Sequence, residues 1–434
     1  MNKPSVWNTA ATLAALGASL WVPPALALDT SWSGFATLGY ARSNSDYTYQ
    51  RFIDRDGTIK ADSVLGGQLD VRWSPQWSGT VQLRLAPADN HDSRWRVEPS
   101  WAFVAWRPNN DWLLRAGKLR VPLYFYSESL DVGVSHDLAR LPNEMYSIAP
   151  TNDVYGAYVS RSFNAGERDV TVDAYAGKAS GHARFWSRDG APPAVQPGAL
   201  FTGFDVKLIG TVLTVRDPAL TWRVGLHFSD TKKSDGERIP TRFPRVTLAP
   251  GLGYYQVNDA IPGPGVQSVS SVQNLLLSGG AEWQLGGGWR VLGEFAKMHQ
   301  FDTEFGSDSV AGYLAVFKRW GDFTPYVSVA GQRSSAEVRG WAQRLKTPGL
   351  PAQLPGAAAV NAAQRLSGES LYAFNQHSLA LGLALAVTTS SKLKVEWMQT
   401  KVADGSNHFD TPPGKPDARG LKVNTLSVNY SFAF

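Results

Sequence analysis

What most restricts the fold of this chain is the way its segments are connected. Stretches in which every second residue is apolar recur along it, and a two-residue period sends alternate side chains to opposite faces of a β-strand. In 220–228, Leu220, Trp222, Val224, Leu226 and Phe228 alternate with Thr221, Arg223, Gly225 and His227. Comparable stretches lie at 32–40, 65–73, 81–85, 97–107, 112–119, 153–163, 169–177, 204–208, 274–285, 289–298, 310–320, 323–332, 377–387, 393–400 and 421–434, sixteen in all; the facing of 97–107 is not assignable from its pattern. Seven connections are short and rich in turn formers, such as Gly286-Gly287-Gly288 and Arg216-Asp217-Pro218. Eight long polar ones separate them, near 42–62, 86–96, 120–152, 178–202, 229–272, 299–309, 333–375 and 401–420. Short and long alternate strictly. That asymmetry belongs to an all-β, antiparallel up-and-down barrel with a turn end and a loop end. Sixteen strands are expected, or eighteen if a long loop conceals another hairpin.

Composition excludes a bundle of membrane helices and is compatible with a barrel in a membrane or with a large β-rich soluble protein. Mean hydropathy is −0.22, and no apolar run reaches the length of a spanning helix. Barrel strands are only half apolar and fit such a value, and 16 Trp, 15 Tyr and 19 Phe suit aromatic girdles. The absence of Cys excludes a disulfide framework and thiol chemistry, and a net charge of +5 without a basic run argues against a nucleic-acid partner. At the amino terminus Lys3, the apolar stretch Ala10 to Val22 and Ala25-Leu26-Ala27 have the form of a signal peptide over 1–27. The barrel is then a single domain over 28–434, with both ends on the periplasmic side.

No enzyme motif stands out. G-x-S-x-G, H-E-x-x-H and the phosphate loop are absent, and His377 and Ser378, being adjacent on a strand, point to opposite faces. The seven His do not cluster at metal spacings, so neither cofactor nor metal is expected. Strand parity sorts charges to the water-facing wall: Arg72, Arg84, Arg115, Lys207, Arg223, Arg290 and Lys394 against Asp70, Asp169, Asp173, Asp205, Glu282, Glu294 and Glu396. Equal numbers predict weak discrimination between small anions and cations. Arg72, Arg84 and Arg115 lie on early segments and Glu282, Glu294 and Glu396 on late ones, which predicts a field across the lumen.

The last residues alternate Leu426, Val428, Tyr430, Phe432 and Phe434 with small or polar ones. This ending resembles that of Gram-negative outer-membrane barrels, and the resemblance makes Phe434 the residue read by the barrel-assembly machinery. The third long loop carries Val121-Pro122-Leu123-Tyr124-Phe125-Tyr126, Leu130, Val132, Val134, Leu138, Leu141 and Met145, too much apolar surface to leave in water. In strand count, loop pattern and terminal Phe the mature chain resembles diffusion porins, whose third loop folds inward. Leu114-Arg115-Ala116-Gly117-Lys118-Leu119-Arg120-Val121-Pro122 is similar to the strand-to-loop junction of phosphate-selective-type porins. The resemblance implies a water-filled, trimeric channel in outer-membrane lipid that passes small hydrophilic solutes. It places the constriction at Arg115, Lys118, Arg120, Glu128, Asp131, His136, Asp137, Arg140 and Glu144. The mixed signs of this loop depart from the arginine ladder and lysine cluster of the phosphate specialists, so anion or phosphate selectivity is the alternative reading. An adhesive or structural barrel, using loops 229–272 and 333–375, is a second alternative.

Overall fold

The computed structural model describes residues 28–434; the expected signal peptide lies outside them. Sixteen strands form: β1 (Asp29–Ser43), β2 (Val64–Arg72), β3 (Trp77–Pro87), β4 (Trp95–Trp106), β5 (Trp112–Arg120), β6 (Asp153–Ala165), β7 (Arg168–Ser187), β8 (Gly198–Arg216), β9 (Leu220–Lys233), β10 (Val272–Gly286), β11 (Trp289–Gln300), β12 (Ser309–Lys318), β13 (Phe323–Ser334), β14 (Phe374–Thr388), β15 (Ser391–Ser406) and β16 (Lys422–Ala433). Each pairs antiparallel with its neighbours in sequence, and β16 pairs with β1 from Phe35 opposite Ala433 to Ser43 opposite Thr425. Beyond the last paired residue, the Gly34 amide donates to the Phe434 carbonyl at 2.9 Å and the Phe434 amide returns the bond at 3.0 Å. The seven expected turns and eight long loops, L1 to L8 in chain order, fall where the connection pattern puts them. No hidden hairpin widens the barrel, because the ribbon pairing Arg245–Ala249 with Leu252–Tyr255 in L5 stands apart from it.

The alternation has a plain cause. One face of the closed sheet carries large apolar side chains open to the outside, among them Leu38 (66% exposed), Ile209 (58%) and Leu381 (50%). The opposite face near the closure holds buried Thr37, Ser427, Asn429 and Ser431. Trp77 stacks on Trp106 at 5.8 Å beside the turns, and exposed Trp32, Trp283, Trp289 and Trp320 extend an aromatic border.

Two strands depart from the expected outline. In β4 Gln82 of β3 faces Trp101 while Leu83 faces Pro99, so Ser100 is an extra residue. Parity switches there. Glu98 before the bulge and Trp101, Phe103 and Ala105 after it share the inner face, which is why 97–107 showed no single alternation. The hairpin of β7 and β8 stays paired out to Ser187 opposite Gly198, occupying most of the expected loop 178–202. Its upper part mixes polar and apolar residues on both faces and shows no two-residue period.

The long loops pack on one another. L7 contains helices α1 (Ala336–Lys346) and α2 (Ala357–Glu369). Ser335 caps α1 by accepting from the Val338 amide, and Val338, Trp341, Ala342 and Leu345 form its buried stripe. Trp341 and Leu345 join Phe243 and Tyr254 of L5 and Phe305 of L6 in one cluster. Ion pairs tie the remaining loops: Arg51 of L1 to Asp92 of L2 at 2.5 Å, and Arg184 of the β7 extension to Asp92 at 2.9 Å and to Asp410 of L8 at 2.5 Å.

Gly117 shows how closely the strands approach. Its φ of +136° is outside the range of L side chains, and a Cβ would stand 2.2 Å from the Ala102 carbonyl oxygen. Gly117→Ala is expected to cost about 1–3 kcal/mol, read as a lower temperature for loss of the folded band when heated samples are run on a detergent gel.

Candidate functional site

L3 leaves β5 at Arg120 and returns to β6 at Asp153. Its Val121, Leu123, Tyr124, Leu138 and Met145 are essentially without solvent contact. They form one cluster with Val154 of β6, Tyr175 of β7, Val206 and Leu208 of β8, Leu276 of β10, Leu292 of β11, Phe317 of β12 and Tyr326 of β13. The wall in this arc is apolar where it meets the loop.

Polar bonds fasten the same loop to strands around most of the circumference. Arg223 of β9 donates to the carbonyls of Tyr124 at 2.8 Å and Pro122 at 2.9 Å. Glu294 of β11 accepts from the Phe125 amide at 2.9 Å and the Tyr146 hydroxyl at 2.7 Å. The Tyr326 hydroxyl accepts from the Ala139 amide at 2.8 Å and donates to Glu396 at 2.7 Å. Lys394 of β15 donates to the carbonyls of Gly133 (2.8 Å) and Leu138 (3.0 Å), and Asn429 of β16 to that of Ala139 (2.7 Å). Unpaired carbonyls and amides of a buried loop would be costly, and these wall groups satisfy them.

The charged residues of the loop are paired in the same way. Asp131 meets Arg84 of β3 at 2.8 Å and also Arg120. Asp137 lies between Arg290 at 2.6 Å and Lys392 at 2.7 Å. Arg140 meets Asp62 of L1 at 2.8 Å, Arg115 meets Glu128 at 3.2 Å, and Glu144 accepts from Gln376 at 2.8 Å and from Ser378. Arg115 also lies over Trp101, Phe103 and Tyr158, with ring centres 5.1–5.4 Å away.

Several sequence expectations need correction. Lys118 is not in the constriction: it sits opposite Ala102 and Tyr155 on the outer face, paired with Asp153 at 3.3 Å. Asp205 and Lys207 also point outward, on the face of exposed Ile209, because the inner face of β8 is given to Val206 and Leu208 against L3. Arg72 and Asp169 lie exposed at the turn end, away from the loop. The expected field across the lumen is weakened locally by ion pairs: Arg84 pairs with Glu98, Arg115 with Glu128, and Arg290 with Glu282 at 2.9 Å. Asp70 accepts from Gln68 at 2.7 Å and Thr80 at 2.6 Å. His377 is exposed and Ser378 buried, on opposite faces as the strand period requires. Among the described residues no group of three or more His, Asp or Glu is placed to hold a metal ion.

Two polar cavities were not foreseen in detail. One of about 400 Å³ separates L3 from the wall of β1, β3, β15 and β16 and from L1; Arg51, Lys60, Arg84, Arg140 and Lys394 line it against Asp62 and Asp131. Another of about 310 Å³ lies among the β7 extension, L7 and L8, where Arg184, Arg188, Arg339, Lys346, Arg365 and Arg419 outnumber Glu369, Asp404 and Asp417. Arg51, Lys60 and Asp62 come from a loop with no periodic pattern, so no sequence signal marked them.

His136 of L3 is buried, with Nδ1 2.8 Å from the Leu138 carbonyl oxygen. Burial, aided by the nearby cations of Lys394, Lys392 and Arg290 and opposed by that hydrogen bond, holds its pKa well below the ordinary 6.5. An opened loop returns His136 to the ordinary value. Its contribution to loop stability is therefore complete above about pH 6.5 and is lost as pH falls toward the folded value. Hydrogen exchange across 130–141, corrected for intrinsic rates, is expected to rise between about pH 7.5 and about pH 5, and His136→Gln is expected to flatten that rise.

No protein-family model and no curated protein sequence matches the chain. Solved structures do. The chain superposes on the outer-membrane protein OmpT of Vibrio cholerae with TM-score 0.52 at 11% identity, covering 94% of this chain and 98% of that one. The outer-membrane channel DcaP of Acinetobacter baumannii gives 0.51 at 10%, covering 94% and 97%. An anion-selective porin from Comamonas acidovorans gives 0.50 at 13%, covering 94% and 100%. The fold is that of Gram-negative outer-membrane porins.

Proposed function

We propose that this fold serves here as a passive outer-membrane channel for small hydrophilic solutes, with a preference for anions. The observation that carries the reading is a charged cavity beside L3, inside a closed barrel whose outer face is apolar. The reading involves neither energy coupling nor a catalytic step. L3 fills the arc from β6 to β13 and leaves the path to the side lined by β1, β3, β15 and β16, so Arg115, Arg120, Glu128, Asp131, Asp137, Arg140 and Glu144 set the narrow section chiefly by holding the loop. Wall residues Arg84, Arg223, Arg290, Glu282, Glu294 and Glu396 act in the same way, as anchors.

Charge preference follows from what remains uncompensated. Of the five basic side chains that line the cavity, Arg51, Arg84 and Arg140 are paired with carboxylates, whereas Lys394 is bonded to carbonyls. Lys60 likewise donates to the Asp92 carbonyl at 2.9 Å. The upper cavity has the same sign. An excess of one sign along the path raises the local concentration of the opposite ion. Removal of 1–27, reading of Phe434 by the assembly machinery and association as a homotrimer belong to the same proposal; the trimer rests on the resemblance alone.

Reversal potential in a planar bilayer under a salt gradient tests the reading. Steady conductance with a reversal potential on the anion side is the expected result, and Lys60→Glu is expected to move it toward the cation side. Cation selectivity in the unaltered protein would overturn the charge assignment, and lack of conductance would favour the adhesive barrel.

A further inference from the structure

The cavity at the loop end, among the β7 extension, L7 and L8, holds about 310 Å³. α1 contributes Arg339 and Lys346 to it, α2 contributes Arg365 and Glu369, and the rest comes from β15, L8 and the paired extension of β7. Several of its basic groups are held by carboxylates outside it: Arg184 by Asp92 and Asp410, and Arg188 by Asp189 at 2.7 Å. Arg51, on the cavity beside L3, shares Asp92 with Arg184, so one group of ion pairs borders both cavities. At about 30 Å³ per water, the upper cavity has room for on the order of ten water-sized groups, the size of a dipeptide.

Groups of both signs remain without partners there. The Lys346 ammonium group makes neither an ion pair nor a hydrogen bond among the described residues, and burial holds its pKa below the ordinary 10.5 against the opposing pull of Glu369 and Asp417. Arg365 Nε is buried with no hydrogen-bond acceptor, 3.6 Å from Asp189. On the acidic side, one oxygen of Asp404 accepts from the Arg339 guanidinium, and the other, Oδ1, is buried and unpartnered. A buried donor or acceptor left unpaired is costly. Donors and acceptors of opposite charge in one cavity are matched by a solute that carries both charges. An anion alone would leave Asp404 facing it, and a cation alone would leave Lys346. Phe185, Trp186 and Ala342 add apolar lining for a small side chain.

We propose that the upper cavity binds a short zwitterionic peptide, of dipeptide size, with its carboxylate at Lys346 and Arg365 and its ammonium group at Asp404. The site gives the outer mouth of the channel a solute class and rests on that reading, but binding is measured without conduction, so the two can fail separately. The test is calorimetric titration of the detergent-purified protein with L-alanyl-L-alanine, with its N-acetyl form and with its carboxyl-terminal amide, the last two keeping one charge each. Saturable binding of the free dipeptide is expected, weakened roughly tenfold or more by either cap and by Lys346→Gln or Asp404→Asn. Heat-modifiable gel mobility reports whether each variant is folded. Equal binding of either capped form by the unaltered protein, or no saturable binding of the free dipeptide, would overturn the proposal without recourse to a variant. Unchanged affinity in folded Lys346→Gln would also overturn it, by moving the dipeptide to the cavity beside L3. Saturable binding by a protein that does not conduct would uphold the site and remove the channel reading, whereas conduction without binding would do the reverse.

Discussion

Every other feature of this protein depends on closing the ring of backbone hydrogen bonds between β16 and β1. A sheet edge in hydrocarbon leaves a row of amides and carbonyls without partners, at several kcal/mol each. Nine paired positions from Phe35 to Ser43, with Gly34 and Phe434 bonding each other beyond them, remove that edge. Once the ring is closed, the side chains of each strand are divided between two environments, and the two-residue period follows.

The second organising element is L3. A loop of its apolar content cannot remain in water, and its burial reverses the polarity of the wall it touches. Leu208, Leu276 and Leu292 are on the inner face because a hydrophobic loop lies against them. Arg223, Glu294 and Lys394 hold it by serving its carbonyls, amides and hydroxyls. Much of the wall charge is therefore structural, and the residues left to meet a solute are fewer and more basic than a count along the strands suggests.

This explains which parts were legible. The strands, turns and strict alternation of short and long connections could be read because lipid on one side and water on the other impose a period that sequence records. The reading fails where one of those two environments is replaced. In β8 the water side is occupied by L3, so Asp205 and Lys207 carry the polarity of the wrong face. Arg51, Lys60 and Asp62 enter the cavity from L1, where no period exists to mark their direction. The helix at 336–346 does carry a sequence signal: Ser335 precedes apolar residues spaced three, four and seven apart, within a stretch whose composition suggests only a flexible loop.

The extra residue at Ser100 has a consequence for how this strand can change over time. On its loop side Trp95 and Val97 face outward and Glu98 meets Arg84; on its turn side Trp101 and Phe103 face inward. Loss of Ser100 would leave Gln82 opposite Trp101, Leu83 opposite Pro99 and Arg84 opposite Glu98 in an ordinary ladder, so every other position would keep its face. The length of β4 can therefore change by one residue at this point with both faces kept, whereas a residue lost from the regular part of the strand exchanges the faces of the positions beyond it.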